Sequence, residues 1–213
     1  DKGILAIVCD STNVFVEGCS GSESDVRKDL LEVIRGCKER VVVSTFASNI
    51  ARLESIIHAA QDAGRRIVLA GRSIERMIAA AQESGYLQDA PEMLGEKAAM
   101  EIPRSECLII ATGCQGEPRA ALTRMARGEH PVIRLAPKDT VIFSSREIPG
   151  NESRIGYTHN RLVEMGVEVV TALAHDIHVS GHPARDELTR MYQMVRPQIA
   201  VPVHGEARHL HEH

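Results

Sequence analysis

Short apolar runs alternate with amphipathic stretches almost from one end of the chain to the other. A buried strand is read over residues 4–8 (ILAIV), and a polar loop follows from Asp10 to Gly21. Ser22 or Ser24 can cap a helix to about Glu39, because Val26, Leu30, Val33 and Ile34 recur with a 3.6-residue period. A strand over 41–44 and a helix over 48–63 come next, the helix turning Ile50, Leu53, Ile57 and Ala60 inward. Four more β-rich runs lie at 67–70, 108–111, 141–143 and 167–170, with helices near 73–84, 117–128 and 151–165 between them. A helix near 184–195 and a strand over 199–203 complete the series, and the irregular stretch 86–106 reads as surface helix and loop. Strand and helix alternating at this spacing imply βαβ crossovers. The expected fold is α/β, one compact unit with a mainly parallel sheet covered by helices on both faces.

Composition narrows the function. Of 213 residues, 43% are hydrophobic and 25% charged, which is enough apolar material for a real core. Aromatics are 3% with no Trp, so a base-stacking platform is not the main binding device. A net charge of -4 provides no broad basic field, and any polyanion must be gripped by a local site. No run of about 18 apolar residues occurs and the first residues do not read as a signal peptide, so no membrane partner is expected. Five scattered cysteines without a C-x-x-C spacing point to a reducing, cytoplasmic setting, with Cys9 and Cys107 read as small core residues. The first strand starts almost at once and few residues follow the last, so the chain is expected to be a piece of something larger.

Candidate chemistry gathers where the strands end. The segments after them contain Asp10-Ser11-Thr12-Asn13, Ser48-Asn49, Gly71-Arg72-Ser73, Thr112-Gly113 and Ser144-Ser145-Arg146. Small residues, hydroxyls and an Arg feeding helix N-termini are what a phosphate site needs, although the same residues also serve as plain caps and turns. The sharper signals are His178-Val179-Ser180-Gly181-His182 before a helix and His204-Gly205 after a strand. A histidine leaving a strand into a Gly is placed for metal binding or proton transfer, and Asp10 is free to approach. Asp10, His178, His182 and His204 are therefore expected at one sheet edge. His58 reads as an ordinary helix residue, and His209, His211 and His213 as a solvated tail.

Seven blocks carry a resemblance: DSTN (10–13), TFASNI (45–50), AGRS (70–73), ATGCQGEP (111–118), FSSREIPGNE (143–152), HVSGH (178–182) and PVHGEARHL (202–210). In this order they resemble the bacterial ribonuclease J family, metallo-β-lactamase-fold nucleases with an inserted β-CASP domain. The resemblance implies that residues 1–20 and 176–213 belong to the metallo-β-lactamase-like part and 21–175 to the β-CASP domain. Asp10 matches the family's motif A acid, His182 the motif B histidine and His204 the motif C histidine. By that match Asp10 and His182 are catalytic and His204 is a metal ligand. His178, Ser180 and Gly181 match the RNA-phosphate grip, and Ser48, Arg72 and Ser145 match positions near the RNA path.

The family's H-x-H-x-D-H motif does not occur in this chain. What the resemblance implies is thus the β-CASP part of a zinc-dependent ribonuclease, with two zinc ions in the parent, RNA as partner and a homo-oligomer allowed. The chain alone is expected to bind zinc weakly and cleave nothing. Two other readings stand beside it: a Rossmann-like module for a nucleotide or phosphate ligand, which lacks G-x-G-x-x-G after its first strand, and an assembly domain.

Overall fold

In the computed structural model, which describes residues 3–213, six parallel strands and their crossovers carry most of the buried apolar surface. Contacts divide the chain into two units, Glu23–His178 and the stretch up to Ser22 together with Val179–His213. The expectation of one compact unit with one sheet is thereby corrected. The first and last strands pair with each other and, among the described residues, with nothing else.

The Glu23–His178 unit opens with helix α1 (Glu23–Gly36), which buries Val26, Leu30 and Ile34 at four-residue spacing. Strand β2 (Val41–Ser44) follows; the first strand, β1, belongs to the other unit. Helix α2 (Ile50–Asp62) is capped by Asn49, whose side chain accepts the Arg52 N–H at 3.0 Å, so it begins later than Ser48. Then come β3 (Arg66–Ala70), α3 (Arg72–Glu83), the two-residue edge strand β4 (Met93–Leu94) and β5 (Cys107–Ala111). The stretch read as surface helix and loop thus contributes a strand to the sheet and buries Ala99 and Ile102. Helix α4 (Ala121–Ala126) is shorter than its pattern, because residues 113–120 turn instead of coiling. Strand β6 (Thr140–Phe143), α5 (Glu152–Glu164) and β7 (Glu168–Thr171) complete the unit.

The strand order is β4-β3-β5-β2-β6-β7, all parallel. Strands β2, β5 and β6 are buried along their whole length, which is why they read as unbroken apolar runs and not as alternations. Helices α1, α2 and α3 touch one another in series, and α4 touches α5. Val42, Val68, Ile109 and Val141 pack with Leu122, Met125 and Leu162 in one apolar cluster on the α4–α5 side.

In the other unit β1 (Ala6–Asp10) pairs in parallel with β8 (Ile199–Val203), preceded by α6 (Arg185–Val195) and followed by α7 (Ala207–Glu212). The reading of residues 4–8 as a buried strand is corrected twice. The strand lies two residues later, and Val8 is 67% exposed. Of the terminal histidines, His211 is exposed as expected, but His209 and His213 are not part of a solvated tail. His213 bonds the Ser11 and Tyr192 hydroxyls, each at 2.9 Å, and His209 packs edge-on against Phe15. No helix among the described residues is long and apolar enough to cross a membrane.

Candidate active site

The parallel register of β1 and β8 sets Asp10 opposite Val203, so His204 leaves its strand beside the Asp10 carboxylate. The Ser11 N–H donates to Val203 O at 2.9 Å and continues the pairing one residue further. The Thr12 N–H donates to Asp10 Oδ1 at 2.9 Å, the local bond that Asp makes two residues ahead when a strand turns. The Thr12 hydroxyl lies 3.1 Å from both His204 O and His204 Nδ1. His204 itself sits at φ 56, a left-handed conformation that an L side chain adopts only when its surroundings hold it there. Gly205 then lets α7 close over the turn, since a methyl group there would stand 2.7 Å from His209 Cβ.

His182 arrives from the other loop. Asn13 Nδ2 donates to Ser180 Oγ and to His182 O, both at 3.0 Å, and the Ser180 hydroxyl accepts the His182 N–H at 3.2 Å. Glu187, in the first turn of α6, accepts from Ala184 N–H, Ser20 N–H and the Ser20 hydroxyl; these bonds hold its carboxyl below the usual range. The turn is thus tied at both ends before its imidazole is used.

Asp10 Oδ2 is shared by two rings: His182 Nδ1 lies 3.1 Å away, and His204 Nδ1 is in still closer contact. Burial pushes the Asp10 carboxyl up, but bonds from His204, the Thr12 N–H, the Thr12 hydroxyl and His182 outweigh it and bring the group down to about 2. An ionised Asp10 makes each Nδ1 a donor and leaves each Nε2 as the atom available to a proton or a metal. Ligand atoms of Asp10, His182 and His204 all lie within 4.8 Å of one another. Two imidazoles and a carboxylate at that separation are a donor set that zinc accepts.

His178 belongs to the Glu23–His178 unit, and its partner is a residue that sequence reasoning passed over. Arg52, on α2, has a fully buried side chain. Its Nη1 donates to His178 Nδ1 at 3.1 Å and to Ser144 Oγ at 2.9 Å, while Nε and Nη2 take both Glu23 oxygens at 2.9 Å. A guanidinium can only donate, so the His178 proton sits on Nε2. Burial first, and then the Arg52 charge, push the ring down to about 4. His178 and Ser145 line a 330 Å³ cavity together with Cys114, Arg146 and His159. Among the described residues His159 Nε2 has no hydrogen-bond partner. Ser48 is exposed between β2 and α2, Arg72 opens α3, and Gly181 is exposed with open space where a Cβ would stand.

Comparison with known proteins identifies the chain. Residues 38–162 match the family model "Ribonuclease J, beta-CASP domain". The chain belongs to the ribonuclease J family. A second match, over residues 166–213, is to the Zn-dependent metallo-hydrolase RNA specificity domain. Ribonuclease J of Sinorhizobium meliloti is 46% identical over 213 residues, all of this chain and 38% of that protein. Ribonuclease J of Mycolicibacterium smegmatis is 46% identical over 211 residues, and that of Synechocystis is 40% identical over 214, covering 38% and 33% of those proteins. The chain thus spans between about a third and two fifths of the length of these ribonuclease J relatives. The second match begins before β7, yet β7 pairs with β6 inside the larger sheet, so the family boundary and the contact boundary differ by about one strand.

The supporting residues that sequence reasoning missed in this ribonuclease J chain are Glu187 and Arg52, while Thr12 and Asn13 were named only as part of a strand-end segment and not for the bonds they make. Asn13 and Thr12 lay within DSTN, where an Asx-type turn was the available signal. Arg52 stood on the buried face of α2 beside Leu53 and Ile56, and a charge on a buried stripe was the clue.

Proposed function

We propose that this chain is the β-CASP part, with flanking segments of the metallo-β-lactamase-like part, of a zinc-dependent ribonuclease that hydrolyses phosphodiesters in RNA processing and decay. In that reading it acts as a 5′-exonuclease, an endonuclease or both. The observation that carries the proposal is the single Asp10 oxygen shared by His182 and His204.

Asp10, ionised throughout the neutral range, holds Nδ1–H of His182 and so orients the ring. His182 in its cationic form then donates the Nε2 proton to the departing ribose oxygen as the P–O bond breaks and water adds to phosphorus. His204 is assigned as a zinc ligand that completes a two-zinc site in the whole enzyme, with Asp10 fixing its orientation. Zinc, when bound, supplies charge stabilisation at the phosphoryl oxygens. His178, Ser180 and Gly181 are assigned to the phosphate grip, and Ser48, Arg72 and Ser145 to the RNA path. A neutral His178 with Nε2–H suits that role, because it donates a hydrogen bond without needing to change charge. This chain alone is assigned no nuclease activity, because Asp10 and His182 are given to proton transfer and His204 alone to zinc.

The test uses the whole enzyme. His182→Ala should lower turnover about 10²–10⁴-fold with RNA affinity little changed. His204→Ala should in addition lose zinc on dialysis, read by metal analysis. Near-normal turnover in His182→Ala, or zinc loss equal to that of His204→Ala, would overturn the division of roles.

A further inference from the structure

Within the Glu23–His178 unit, a cavity of about 810 Å³ opens where β2, β3 and β5 end. The strand order makes this a switch point: the connection from β3 runs outward to β4, whereas that from β5 runs past β2 to β6. Helices leave in opposite directions from adjacent strands, and a crevice must form between the two carboxyl ends. In open α/β sheets that crevice is where ligands bind. Gly71 and Thr112 close its floor, since a methyl group on Gly71 would stand 2.6 Å from Thr112 Oγ1.

Four arginines line the cavity: Arg72, Arg76, Arg119 and Arg124. Against them stand Glu96 and Glu117, and both carboxylates have partners: His130 lies 3.6 Å from Glu96, and the Gln115 N–H donates to Glu117 at 3.0 Å. Arg124 donates to Glu129 O, but Arg72, Arg76 and Arg119 form no ion pair among the described residues. The chain as a whole is acidic, at -4, so a local surplus of two positive charges is a property of this cavity and not of the surface at large. Unneutralised guanidinium groups beside the Ser73 hydroxyl match a phosphate monoester, which carries close to two negative charges at neutral pH. Phe46 and Met77 add an apolar wall. The volume suits one nucleotide, since pockets for small ligands run from about 300 to 1,000 Å³.

We infer that this cavity is a binding site for a free nucleoside 5′-monophosphate, with the arginines on the phosphate and the Phe46–Met77 wall on the base. None of Asp10, His178, His182 or His204 lines it. Arg72 is shared with the RNA path assigned above, but Arg76 and Arg119 carry no role in the nuclease reading, so the test rests on those two.

Isothermal titration of this chain tests the inference with no activity readout. Adenosine 5′-monophosphate should bind with a Kd below about 1 mM, and adenosine and inorganic phosphate should each bind at least tenfold more weakly. The double variant Arg76→Ala/Arg119→Ala should weaken nucleotide binding at least tenfold while keeping the parent's circular dichroism and melting temperature. Arg66→Ala, which removes the same charge from the opposite end of β3, should leave binding within twofold. Absence of nucleotide binding, unchanged binding in the double variant, or an equal loss with Arg66→Ala would overturn the inference. Inorganic phosphate binding as tightly as the nucleotide would also overturn it. So would tighter binding, through the same arginines, of an oligoribonucleotide with a 5′-hydroxyl end, because the groove would then serve an RNA chain.

Discussion

Replacing Arg52 with Met should be among the most damaging single changes in this chain. The side chain is fully buried, and its guanidinium satisfies two oxygens of Glu23, the Ser144 hydroxyl and carbonyl, and His178 Nδ1. Methionine fills similar space but donates nothing, so every acceptor is left behind. Removing one partner of a buried ion pair costs about 3–5 kcal/mol. Glu23 is 29% exposed and recovers some hydration, which pulls the figure toward the lower end. The neutral acceptors, Ser144 O and His178 Nδ1, add about 1 kcal/mol each where water cannot replace the donor. A loss of about 4–5 kcal/mol is therefore expected in urea unfolding followed by far-UV circular dichroism. Adding Glu23→Gln should return at least about 1 kcal/mol, because the uncompensated carboxylate goes with it. The His178 titration, followed by NMR, should move upward in Arg52→Met as the neighbouring positive charge disappears. Arg52→Met losing under about 1 kcal/mol, or leaving the His178 titration in place, would refute the reasoning. Arg52 reaches Glu23 and His178, the first and last residues of their unit, so it closes that unit where the chain enters and leaves it.

His178 also gives a pH signature. Its ring is held near 4 in the folded chain, against about 6.5 unfolded, so the unfolded state binds the extra proton; this stabilisation is complete above about pH 6.5 and lost as pH falls toward 4. The window is worth at most about 3 kcal/mol, and about 1–2 after solvent screening of a half-buried ring. The urea midpoint of the parent should therefore fall more steeply between pH 6.5 and 4 than that of His178→Asn, and parallel curves would count against it. Among the cysteines, exposed Cys19 should react with a thiol reagent in the native protein, whereas buried Cys107 and Cys114 should react only in denaturant. Burial pushes both of those thiols up, Cys114 to about 11, and rapid native labelling of Cys114 would contradict its placement.

The parts of the fold legible in the sequence were those whose cause is local. Strands β2, β3, β5 and β6 are short apolar runs buried almost throughout their length, and each was read as a strand. The run ILAIV has the same appearance, yet Ile4, Leu5 and Val8 are all at least half exposed. An apolar run records that a segment prefers to be covered, and it says nothing of what covers it. Helix α7 escaped for the opposite reason. Its residues, ARHLHE, have no apolar stripe to betray a helix, and ring contacts to Phe15 and Tyr192 hold it instead.

The candidate site shows the same limit from the chemical side. Asp10, His182 and His204 were recognisable as reactive types at strand and loop ends, and the resemblance gave each a role. What no local pattern could give was the single Asp10 oxygen on which both imidazoles converge, 172 and 194 residues away along the chain. That convergence follows from the β1–β8 register: a slip of one residue would turn Asp10 to the other face of the strand, away from both rings. Because the register is set by backbone pairing and not by the histidines, His182→Ala or His204→Ala should leave the pairing intact. Removing either ring therefore tests its chemistry, whereas disturbing Thr12 or Gly205 tests the scaffold that brings the rings together.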